Sequence, residues 1–129
     1  MTNGEQPRGS YSTYTSTLVN AAVVAAEEKL GADTVVLDLR ELVDSFDALV
    51  VTSGRNDRQV RAIADEVERL IELALRVKPI RVEGLVQAEW VALDYGDVIV
   101  HVFDETTREY YDLEHLWSAA PALRTSSTH

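Results

Sequence analysis

With 129 residues the chain suits one domain, able to bury about two thirds of its unfolded surface without covalent staples. It has no cysteine, which excludes disulfides and thiolate metal sites, and no apolar run near the roughly 20 residues that span a bilayer. The 22 acids against 12 Lys and Arg give a net charge of −10, and the polar N-terminus lacks an apolar signal segment. The expectation is a soluble, cytoplasmic protein with no membrane association.

In chain order, residues 1–15 are rich in Gly, Ser, Thr and Asn and read as a disordered tail. From Thr17, the residues Leu18, Ala21, Ala22, Ala25, Ala26 and Leu30 recur at helical spacing, and Gly31 stands where a helix stops. Thr34 to Leu39 is a strand by its β-branched content, Glu41 to Asp47 a polar link, and Ala48 to Ser53 a largely buried strand. Asn56, with Asp57 and Gln59 behind it, has the signature of a helix start. The long amphipathic pattern Val60, Ile63, Ala64, Val67, Leu70, Ile71, Ala74 and Leu75 follows, and Pro79 closes it. Ile80 to Glu83 is a short strand ended by Gly84, and Leu85 to Glu89 a loop. Trp90 to Phe103 reads as two strands joined at Gly96 and Asp97, the second apolar on both faces and hence central in its sheet. Asp104 to Thr107 is a turn, Arg108 to Trp117 one or two helical turns, and 119–129 a second disordered tail. The sum is a single α/β domain over 16–118, a mixed five-stranded sheet flanked by helices.

Nine acids fall between Glu83 and Glu114 with Arg108 as the only base, so that third carries a net charge of −8. Such a surface repels phosphate backbones, and no direct nucleic-acid binding is expected. It attracts a basic protein, although a solvated acidic face that keeps the chain soluble has the same composition. Ser53-Gly54-Arg55-Asn56 lies between a strand and a helix but lacks the extra glycines and the Lys of a phosphate loop, so it reads as a plain turn. Asp94 and Asp97 read as turn chemistry rather than a metal pair. His101 sits mid-strand and reads as a core or sheet-face histidine, and His115 beside Glu114 has no third ligand at strand or helix spacing. No catalytic set, metal site or cofactor site assembles. Trp90 allows two readings, packing under the long helix or an anchor for a partner among acids.

Several pieces, in order and spacing, resemble one family. They are Asp47, Ser53-Gly54, Arg58-Gln59-Val60, Val82-Glu83-Gly84, Trp90, Asp94, Gly96-Asp97-Val98-Ile99-Val100-His101-Val102, Arg108 and Leu113-Glu114-His115-Leu116-Trp117. Over about residues 16–118 they look like the Iojap family, the ribosomal silencing factors. The resemblance implies a fold similar to nucleotidyltransferases but without their catalytic residues. The strand after the long helix agrees, since Ile80-Arg81-Val82-Glu83 offers one acid where metal-assisted transfer needs an alternating pair. It further implies a non-enzymatic factor that binds the large ribosomal subunit through ribosomal protein fourteen. Such a factor blocks joining with the small subunit and represses translation under nutrient limitation. By position, Trp90 matches the family's interface tryptophan. Tyr95, Gly96, Asp97 and Val98 form the adjacent turn, and the charge pattern adds Glu83, Glu89 and Asp94 as steering acids. The competing readings are a residual nucleotide-binding enzyme centred on Ser53 to Asn56 and a homodimerisation module.

Overall fold

The structure, a computed structural model describing residues 11–111 and 122–125, begins with helix α1, Thr13–Glu28. Ser12 caps it, its Oγ accepting from the Thr15 amide at 3.1 Å, so the helix starts ahead of the boundary expected at residue 16. Leu18, Val19, Ala22, Val23, Ala25 and Ala26 form its buried stripe. At its end Leu30 takes the left-handed conformation (φ 63°). The amides of Leu30 and Gly31 donate back to the Glu27 and Ala26 carbonyls, the pairing of a Schellman cap. Gly31 is needed for a different reason than the stop itself: a Cβ there would lie 2.5 Å from Thr52 Oγ1.

Helix α2, Asp57–Leu75, follows the expected stripe, burying Val60, Ile63, Ala64, Val67 and Ile71. Asn56 Oδ1 accepts from the Gln59 amide at 2.9 Å. The Gln59 carboxamide accepts from the Arg55 amide and donates to the Lys29 and Leu30 carbonyls, so one side chain ties the start of α2 to the end of α1. Asn56→Ala should therefore lower stability by about 1 kcal/mol in a urea melt without changing the slope of the transition.

The five expected strands are all present: β1 (Ala32–Asp38), β2 (Ala48–Gly54), β3 (Arg81–Glu83), β4 (Trp90–Asp94) and β5 (Val98–Asp104). They form one mixed sheet in which β2 and β5 run parallel and the other pairs antiparallel. A sixth strand, β6 (Ala122–Thr125), pairs with the β1 edge and completes the order β3-β4-β5-β2-β1-β6. Over 122–125 this corrects the expectation of a disordered tail; the rest of 119–129 lies outside the described residues. Edge pairing satisfies backbone N–H and C=O groups and needs no hydrophobic alternation, so the short segment Ala122-Leu123-Arg124-Thr125 can do it without a side-chain signal. Helix α3, Glu105–Tyr111, starts three residues before the expected Arg108, because Asp104 Oδ1 accepts from the Thr107 amide at 2.9 Å and begins a helix in place of the expected turn. Leu113, Glu114, His115, Leu116 and Trp117 lie outside the described residues.

Helices α1 and α2 pack on each other and on one face of the sheet, over Val36, Val50, Val91, Leu93, Val98, Val100 and Val102. Full burial of each such side chain stabilises by roughly 1.5–3 kcal/mol. The opposite face is covered unevenly. Leu39, Leu49, Val51 and Phe103 are buried there beneath Val43 and Phe46 of the link after β1. No helix other than α3 contributes on that side among the described residues. Among the described residues, the sheet thus has one sealed face and one partly open face.

Candidate functional site

Strand register decides what stands on the open face. Trp90 pairs with Phe103, Ala92 with His101 and Asp94 with Ile99. Across the other edge of β4, Arg81 pairs with Asp94 and Glu83 with Ala92. Paired residues share a side, so Glu83, Trp90, Asp94, His101 and Phe103 all project from the face away from α1 and α2. Trp90 therefore does not pack under the long helix. Its ring lies on Phe103, centroids 4.8 Å apart, with His101 at 5.8 Å. Its Nε1–H donates to His101 Nδ1 at 2.8 Å. The residue nevertheless remains 39% exposed. An indole held in place by Phe103 and His101 while 39% exposed is an anchor geometry.

The hydrogen bond fixes the state of His101. Nδ1 must keep its lone pair, which puts the imidazole proton on Nε2. Loss of water around the ring agrees, lowering the His101 pKa from 6.5 to about 4.

The turn beyond β4 divides the remaining candidates. Gly96 has φ 93° at the first central position of a two-residue hairpin, a conformation that costs any other residue a steric penalty. Asp94 Oδ1 accepts from the Gly96 amide at 2.9 Å, so that carboxylate stabilises the turn while sharing the Trp90 face. Asp97 is exposed, and its carbonyl accepts from the Asp47 and Ala48 amides. Glu83 and Glu89 are exposed. Tyr95 and Val98 are corrections to the proposed surface. Both are buried in the helix-side core, Tyr95 at 7% exposure and Val98 at none, because alternation turns them toward α2. The Tyr95 hydroxyl finds no hydrogen-bond partner among the described residues. Burial, with Glu68 and Glu72 nearby, holds its pKa well above the ordinary phenol value. These two residues support the turn from behind and present no side chain to a partner.

Of the loop leading into β4, the sequence points to Glu89 alone as part of the site. Gly84 has φ 88°, and a Cβ there would overlap the Trp90 carbonyl. From α2, Arg61 donates to the Leu85 carbonyl at 3.0 Å and the Val86 carbonyl at 2.5 Å while also pairing with Asp57. The loop is pinned, yet Val86 is 84% exposed. An i,i+4 Asp–Arg pair reads in sequence as a solvated helix face, and its bonds to a distant loop leave no periodic signal.

At the other end of the open face, Ser53 to Asn56 is a strand-to-helix turn. A Cβ at Gly54 would come within 3.0 Å of the Val60 amide, so the glycine serves close strand–helix packing. The Ser53 hydroxyl accepts from the buried Arg108 guanidinium at 2.8 Å. A cleft of about 340 Å³ alongside is lined by Asp33, Ser53, Glu105, Arg108 and Glu109. Three carboxylates against one guanidinium disfavour a nucleotide phosphate there. Among the described residues no group of three or more His, Asp or Glu could hold a metal ion, and no helix is long and apolar enough to cross a membrane.

Comparison with known proteins accounts for nearly the whole chain. A family model described as "Ribosomal silencing factor during starvation" matches residues 12–129. The ribosomal silencing factor RsfS of Halalkalibacterium halodurans is 38% identical over 107 residues, 82% of this chain and 90% of that protein. A mouse protein named for mitochondrial assembly of the ribosomal large subunit is 26% identical over 102 residues, 78% of this chain and 45% of its own. The crystal structure of protein CV0518 from Chromobacterium violaceum superposes with a TM-score of 0.74 at 38% identity, covering 78% of this chain and 83% of that one. The first two of these relatives are named for ribosomal silencing and for large-subunit assembly rather than for an enzymatic activity. The chain belongs to the family of ribosomal silencing factors.

Proposed function

We propose that this protein binds the large ribosomal subunit in the cytoplasm through ribosomal protein fourteen, using the open sheet face around Trp90. By occupying the surface that meets the small subunit, it blocks joining and lowers translation under nutrient limitation. The carrying observation is the Trp90 indole, held on Phe103 and His101 yet 39% exposed. Large aromatics in such positions dominate interface energetics. Glu83 and Asp94 share that face by register, and the exposed Glu89 and Asp97 add to the negative field around it. A basic ribosomal protein complements that field. The name of the mouse relative points to the same subunit. Occlusion requires no covalent step.

Sedimentation of mixed subunits tests this reading: saturating protein should leave them separate, and full joining would refute it. If the acids steer encounter, raising ionic strength from about 0.1 M to about 1 M shortens the screening length from about 10 Å to about 3 Å and should slow association several-fold. Stopped-flow association rates check this, and a salt-independent rate would remove the steering role.

A further inference from the structure

The Trp90 side chain has one hydrogen-bond donor, and it points along the sheet to His101 rather than outward. On that face the carboxylates placed by register are Asp94 on β4 and Glu83 on β3, with Arg81 opposite Asp94. Asp94 Oδ1 is already engaged by the Gly96 amide. Ala92 flanks His101 from β4 and Val51 flanks it from β2. The imidazole is thus the acceptor that orients the indole, and Phe103 is the floor beneath it.

We propose that His101 is the positioning residue of the docking surface: its bare Nδ1 holds the indole Nε1–H, fixing which edge of Trp90 a partner meets. This inference rests on the reading that the Trp90 face docks the large subunit. It has two consequences. The partner meets the indole through its hydrocarbon edge and ring, since the donor is engaged within the chain. The surface is also organised before binding, so little rotamer freedom of Trp90 remains to be lost on association.

The tautomer is directly observable. In ¹⁵N-labelled protein at neutral pH, His101 Nδ1 should carry no proton, Nε2 should carry one, and a through-hydrogen-bond coupling should link Trp90 Nε1 to His101 Nδ1. Trp90→Phe identifies which indole resonance is which. A proton found on Nδ1 would overturn the assignment, whether or not any variant folds. For binding, His101→Leu removes the acceptor and should weaken affinity for purified large subunits about fivefold to tenfold, the scale of one partly buried hydrogen bond. His101→Asn, whose amide oxygen can stand near Nδ1, should restore affinity to within about twofold. In a Trp90→Ala background the His101 substitutions should have no further effect on binding. Wild-type affinity in folded His101→Leu, with Trp90→Ala impaired, would sink the His101 role alone. Wild-type affinity in folded Trp90→Ala would instead sink the docking reading, and this inference with it.

Discussion

Trp90→Ala should weaken binding to the large subunit by about 2 kcal/mol or more, roughly thirtyfold in Kd, while the protein stays folded. The size of the effect follows from the position of the ring. Its packing on Phe103 and its bond to His101 fix its orientation, and its exposed side is available for the partner to desolvate. The substitution also strips cover from the fully buried Phe103 and leaves His101 without its donor, so some folding stability is lost as well. Because the ring is already partly solvated, that loss should fall below the roughly 3–5 kcal/mol of a core Trp or Phe truncation. Titration calorimetry against purified large subunits, paired with urea melts of the free protein, separates the two effects. A folded variant with unchanged affinity would show that Trp90 serves only to cover the open face.

How much of this was legible in the sequence depends on what kind of contact carries it. The α2 stripe and the run Val98-Ile99-Val100 declare themselves because side-chain period reports burial. The hairpin announces itself through Gly96, where φ 93° restricts the choice of residue. The same alternation, taken one step further, would have turned Tyr95 and Val98 inward, since they flank the turn on the side of Val91 and Leu93. The β6 pairing and the Arg61 guanidinium bonds to the Leu85 and Val86 carbonyls engage main-chain groups across long sequence distances, which composition and period do not encode. The Trp90–His101 bond belongs to a third kind. Both residues were conspicuous singly, and only the register Ala92 to His101 brings one over the other.

Acid should destabilise the free protein well before its carboxylates titrate, and His101 is the reason. In the unfolded chain the imidazole takes up a proton near its ordinary pKa of 6.5; in the folded protein loss of water around the ring delays protonation to about 4. Between those values the unfolded state binds a proton that the folded state refuses, so stability falls as pH falls from 6.5 toward 4 and then levels off. The full difference corresponds to roughly 3 kcal/mol. Glu66 acts in a different window. The Arg69 guanidinium beside it holds its pKa at about 2, so its contribution is present above about 4.5 and is lost only as pH drops from there toward 2. Relief of the −10 net charge opposes both trends, since protonating carboxylates reduces self-repulsion. Comparing wild type with His101→Asn cancels that background and the titration of the other two histidines. Urea midpoints at pH 7, 6 and 5 should fall more steeply for wild type than for the variant. Parallel lines would mean that the folded imidazole protonates near its ordinary pKa, and the bond from the indole to Nδ1 would then not hold in solution.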